Sequence, residues 1–111
     1  MVVLRVRGRI VRRLDARALS VRRDGPLRLL ELRLVNRGNV TERLGGDRLR
    51  LWLISRGRRQ ATLGPTPREL LPHSRGIAVF RYRGRLRGTV LVRVALSPPL
   101  RGPRRSFRVR L

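Results

Sequence analysis

The stretch Leu27-Arg28-Leu29-Leu30-Glu31-Leu32-Arg33-Leu34-Val35-Asn36 decides the fold. Leu30, Leu32 and Leu34 fall on one side, with Glu31, Arg33 and Val35 on the other. Strict alternation with a period of two marks a strand with one buried and one solvated face. Asp24-Gly25-Pro26 precedes the stretch and Arg37-Gly38-Asn39 follows it, both with turn-forming residues.

The same pattern recurs in both directions. Val2, Leu4 and Val6 alternate with Val3, Arg5 and Arg7, and Ile10 to Leu14 would extend that leading strand. Ala16 to Arg22 reads as another strand, and Val40 to Leu44 as a short one. Leu49, Leu51 and Leu53 make an inner row, with Arg48, Arg50 and Trp52 opposite. Ser55-Arg56-Gly57 predicts a hairpin turn and Arg58 to Leu63 the return strand. Residues 64–76 form the longest loop, in which Pro67 to Leu71 is the one candidate for a helical turn. Ala78, Phe80 and Tyr82 share a face; Val90, Val92, Val94 and Leu96 share another; Phe107, Val109 and Leu111 close the chain. Short strands at such regular spacing predict an all-β domain over residues 1–111, an antiparallel sandwich of about seven to eight strands or a small barrel. Residues 98–105, with Pro98-Pro99 and an arginine cluster, read as a hinge before the last strand.

Charge is the second strong signal. The chain holds 29 basic residues, all arginine, against six acids, for a net charge of +23. Disorder is the first expectation for such a charge, but 41% hydrophobic residues in a regular pattern argue for a folded core. Arginine in place of lysine fits a GC-rich bacterial coding bias. That bias does not explain the excess over acids, which attracts anions and opposes compaction. A polyanion, or neighbouring domains of a longer protein, would relieve it.

Other chemistry is thinly represented. Cysteine is absent, which excludes disulfides and thiolate metal sites. With one histidine, no metal or cofactor is expected. His73, Ser74 and Glu69 lie close in sequence, but neighbours in a proline-rich loop seldom converge as a nucleophile, base and orienting acid. Asp15, Asp24, Glu31, Glu42, Asp47 and Glu69 are scattered, and read as turn formers and local partners for arginine. No phosphate-loop pattern occurs, and Asn39-Val40-Thr41 is a chance match to a glycosylation sequon. The longest stretch without arginine is eight residues, too short for a membrane span. No signal-peptide apolar region opens the chain, so it is either cytoplasmic or a piece of a longer exported protein.

The strings LELRLVNRGNV (Leu30 to Val40), Leu70-Leu71-Pro72 with Ser74, Ile77 to Tyr82, and Gly88 before Val90 to Leu96 resemble bacterial and archaeal immunoglobulin-like surface domains. These are the alpha-galactosidase-associated and cell-adhesion-related (CARDB-like) kinds. Where those domains carry Gly after Leu-Pro, this chain carries His73. The resemblance implies an immunoglobulin-like β-sandwich acting as a non-enzymatic structural or adhesion module at the cell surface. Its partners would be anionic cell-wall polymers or lipid headgroups. The rival expectation is a small basic β-barrel that binds nucleic acid. Candidate polyanion-binding residues are Arg48, Arg50 and Trp52, and the alternating Arg81, Arg83, Arg85 and Arg87. Trp52, on the arginine side of its strand, is expected to be half-exposed and stacked by arginine. Phe80 and Tyr82 are expected in the core.

Overall fold

The leucine alternation of Leu27–Asn36 does form a strand, and its inward row is buried almost completely. The computed structural model describes residues 8–111. Among them the elements are β1 (Leu14–Asp24), β2 (Leu27–Asn36), β3 (Glu42–Leu44), β4 (Leu49–Ser55), β5 (Arg58–Leu63), β6 (Arg68–Leu70), β7 (Arg75–Tyr82), β8 (Thr89–Leu96) and β9 (Arg105–Arg110), with no helix. They pair antiparallel in three sheets, ordered β1-β2-β7, β3-β6 and β5-β4-β8-β9. The protein is therefore all-β.

Inward rows from all three sheets join one buried cluster. Leu30, Leu32, Leu34, Ala78 and Phe80 come from the first sheet, Leu44 and Leu70 from the second. Leu49, Leu51, Leu53, Val90, Val92 and Val94 come from the third. Each fully buried leucine contributes roughly 1.5–3 kcal/mol, so these rows supply the main driving force. Phe80 and Tyr82 lie in this core, as their alternation predicts. The β4–β5 connection is Arg56-Gly57 with φ of 53° and 72°, the positive pair that a type I′ hairpin turn requires.

Three local readings are corrected. The 67–71 segment is not a helical turn, because residues Arg68–Leu70 form β6 and pair with β3. Pro72 disfavours helical geometry at Leu71, and the extended form lets Leu70 bury at 2% exposure while Glu42 lies opposite it. Residues 8–13 contain no strand, and β1 starts only at Leu14; the leading-strand expectation for residues 1–7 falls outside the described part. Asp15 and Glu42 are not turn formers: both are buried. Asp15 bonds Arg37 at 2.6 Å and Arg13 at 3.3 Å, and Glu42 bonds Arg12 at 2.6 Å.

The Asn36-Arg37-Gly38-Asn39 string does more than turn the chain. The Asn36 amide donates to the carbonyls of Val40 and Leu70, and its oxygen accepts from Gly38 N–H. Asn39 grips the segment before β1: its amide donates to Arg9 O, its side-chain oxygen accepts from Val11 N–H, and its own N–H donates to Val11 O. Gly38 is required because a Cβ there would lie 2.3 Å from Val11 O. The Asn39 amide is thus already engaged within the fold.

Candidate basic sheet face

The outward side of β5-β4-β8-β9 is built from residues of four strands that contain no acidic residue. Cross-strand register orders them. One row runs Thr62, Trp52, Arg93, Ser106, and the next runs Arg59, Ile54, Leu91, Arg108. Arg50 sits opposite Ala95, and Arg110 opposite Thr89. Opposed side chains on one sheet face stand about 4.5–5.5 Å apart at Cβ. The face therefore carries Arg50, Arg59, Arg93, Arg108 and Arg110 around one indole.

Trp52 is half-buried, and the Arg59 guanidinium lies 4.8 Å from its ring centroid. Stacking of a cation on indole contributes about 0.5–1 kcal/mol at an exposed site. A β-bulge makes the contact possible. Leu53 pairs with Ala61 but Ile54 pairs with Arg59, so Gln60 is the extra residue and Arg59 turns to the Trp52 side.

Trp52 also forms one wall of an open concavity of about 780 Å³. The remaining lining includes Arg93 on β8 and Arg101 and Arg104 from the β8–β9 connection. That connection, which the sequence marks as a hinge, is tied down where it passes β1 and β4. Leu100 is buried, Leu14 N–H donates to Arg101 O at 2.7 Å, and Ser97 N–H donates to Arg48 O at 2.8 Å.

The residues singled out from sequence fall in separate places. Arg48 is exposed in the turn before β4, and Arg50 on β4 is ion-paired with the exposed Asp47. Arg81 lies on the outer face of β7, opposite Leu29 in the other large sheet. Arg83, Arg85 and Arg87 are exposed in the β7–β8 connection. There Arg87 folds back to donate to Gly84 O and Leu86 O. Arg50 and Trp52 thus belong to a different sheet from Arg81, Arg48 lies in a turn outside the sheets, and the Arg81–Arg87 run does not form one extended ladder. Arg59, Arg93, Arg108 and Arg110 were missed. The hairpin turn pointed to β5 as the neighbour of β4, but the bulge that aims Arg59 and the long-range pairing of β4 with β8 leave no local trace.

Two other polar groups bear on chemistry. Arg28 is 9% exposed, donates to Gly25 O at 2.7 Å, and leaves its Nε without a partner. Desolvation, then Arg87 and Arg23, hold its guanidinium below the ordinary arginine range. In the 64–76 loop, Ser74 Oγ donates to Leu71 O at 2.6 Å, while Glu69 pairs with Arg43 at 3.4 Å. Neither Ser74 nor Glu69 takes His73 as its partner. Among the described residues no three His, Asp or Glu side chains gather as metal ligands. Among the described residues no helix is long and apolar enough to cross a membrane.

Comparison with known protein families, with characterised proteins and with solved structures finds no match to this chain.

Proposed function

We propose that this chain is a non-enzymatic immunoglobulin-like module of a bacterial surface or cell-wall protein, which holds anionic polymers on its basic sheet face. The strand order supports the fold part of this reading. With β1, β2, β4, β5, β7, β8 and β9 taken as strands A, B, C, C′, E, F and G, the sheets read A-B-E and C′-C-F-G. Immunoglobulin-type sandwiches divide their strands in this manner.

The observation that carries the functional part is the face around Trp52: five arginines on four strands that contain no acid. A sheet face carrying several cations suits an extended polymer of repeated negative charge. The half-buried indole offers a stacking surface for a sugar ring. Cell-wall preparations test the reading. The protein should bind at low salt, release in high salt, and bind poorly after the anionic polymer is stripped from the wall. Exposed charge pairs are screened beyond about 3 Å at 1 M salt, so binding that persists unchanged there contradicts an electrostatic hold.

The second reading, nucleic-acid binding, is favoured by one observation, the Trp52–Arg59 stack on a basic face. Aromatic platforms contribute about 1–3 kcal/mol per stacked base. An oligonucleotide titration with polyphosphate as competitor separates the two. Preference for the oligonucleotide at about 0.2 M salt supports this second reading, because simple phosphate neutralisation weakens steeply there.

A further inference from the structure

We propose that the open concavity on the outer face of the β1-β2-β7 sheet is a binding site for a ligand bearing a diphosphate group. It has a volume of about 960 Å³ and is lined by Arg17, Arg33, Arg37, Arg75 and His73, over a floor that includes Val35. It belongs to the sheet that does not carry Trp52, so it is separate from the polymer face.

Register brings these cations together. Val35 pairs with Arg75, and Arg33 pairs with Ile77, so Arg33 and Arg75 are diagonal neighbours on one face. Such diagonals are roughly 7–8 Å apart. Ala18 lies across from Arg33 on the other side, and its small side chain leaves the space open. Arg17 is the extra residue of the β1 bulge between Ala16 and Ala18. His73 is presented from the turn before β7, with φ of 55°, a left-handed conformation that L-residues adopt only at a cost.

The charges there are poorly compensated. Arg37 is committed to Asp15 at 2.6 Å, but Arg17, Arg33 and Arg75 form no ion pair among the described residues. No carboxylate is among the lining residues; the two on the same sheet face, Asp15 opposite Val35 and Glu31 two residues from Arg33, are engaged by Arg13 and Arg37 and by Arg22. Like charges on neighbouring sheet positions repel, and a bound anion removes that repulsion. The guanidinium fork matches phosphoryl oxygens bidentately. Two adjacent phosphoryl groups carry enough negative charge to match three cations, whereas one does not.

The test uses inorganic pyrophosphate, with inorganic phosphate for comparison, at about 0.15 M salt to suppress diffuse attraction. Calorimetry is expected to show one saturable site for pyrophosphate, at least about tenfold tighter than phosphate because bidentate contacts are doubled. Arginine Nε–Hε resonances should shift at Arg17, Arg33 and Arg75 and stay put elsewhere. The pair R33Q/R75Q should weaken binding about tenfold or more, while R93Q/R108Q, on the polymer face, should leave it nearly unchanged. If the first pair loses its dispersed amide spectrum, R17Q replaces it, with a several-fold loss expected. Shifts spread evenly over all arginines, or equal losses in both pairs, overturn the proposal. The R93Q/R108Q pair reports separately on the polymer face, so failure of one reading is distinguishable from failure of the other.

Discussion

Gly38→Ala should damage this domain far more than an exposed turn substitution normally does. The new Cβ would lie 2.3 Å from Val11 O, 3.1 Å from Arg12 Cα and 3.1 Å from Arg13 N, all of them backbone. No side-chain rotation relieves that overlap, so residues 9–13 must lift away from the turn. Lifting breaks the hydrogen bonds from Asn39 N–H to Val11 O, Val11 N–H to Asn39, Asn39 to Arg9 O and Arg37 N–H to Arg13 O. Net values near 0.5–1 kcal/mol for each partly exposed bond sum to about 2–4 kcal/mol. For a domain of this size that lowers Tm by roughly 10 °C or more. Urea melts read the total, and amide exchange reads the location. Val11, Arg37 and Asn39 should lose protection while the β4–β8 amides keep theirs at the reduced global level. Gly8→Ala, with nothing within 4 Å, is the control and should fall within about 0.5 kcal/mol of the parent. If Gly38→Ala melts like the parent with Val11 and Asn39 still protected, the clasp does not hold this segment.

Further predictions concern charge, core and strain. Arg12→Met leaves the Glu42 carboxylate buried without its cation. A loss of about 2–4 kcal/mol in a urea melt is expected, largely recovered in Arg12→Met/Glu42→Met; an unrecovered double variant contradicts the pairing account. Leu51→Ala removes a fully buried side chain from β4 and should cost about 2–5 kcal/mol by the same assay. His73→Gly relieves the left-handed backbone at φ 55° and should stabilise by up to about 1 kcal/mol. Destabilisation by that change would mean the imidazole makes a contact that outweighs its strain.

Strand positions were legible because alternation is local. The inward leucines of β2 and β4 and the valines of β8 could be read one residue at a time, and all are buried. What escaped reading depends on irregularity or on distant pairing. The bulge at Ala16/Ala18 shifts the inward row of β1 to Leu19 and Val21, and no residue type announces it. The bulge in β5 likewise moved Arg59 onto the Trp52 face. β6 is hidden because only Leu70 of its three residues is buried, opposite Glu42 of β3, 28 residues earlier. Asn36-x-Gly38-Asn39 was visible as turn chemistry, but its grip on residues 9–13 requires a segment that the turn itself does not specify. The candidate face shows the same division. Trp52 on the arginine side of its strand followed from alternation, whereas Arg93 and Arg108 joined it only through β4–β8 and β8–β9 register. The arginine excess signalled an anionic partner without locating where it sits.

The salt dependence of polyphosphate binding, measured in the R33Q/R75Q background so that the concavity of the other sheet does not contribute, tests the central claim, that the β5-β4-β8-β9 face is the polyanion surface, most directly. Arg50 is held by Asp47, which leaves Arg59, Arg93, Arg108 and Arg110 to neutralise the polymer. Each neutralised phosphate on a single strand contributes about −0.7 to the slope of log affinity against log salt, so four give about −3. Arg93→Gln/Arg108→Gln should make the slope shallower by about 1.4, and Trp52→Ala should weaken binding with the slope unchanged. Slopes that are identical in the parent and in Arg93→Gln/Arg108→Gln would contradict the account, because the polymer would then be held by arginines elsewhere on the molecule.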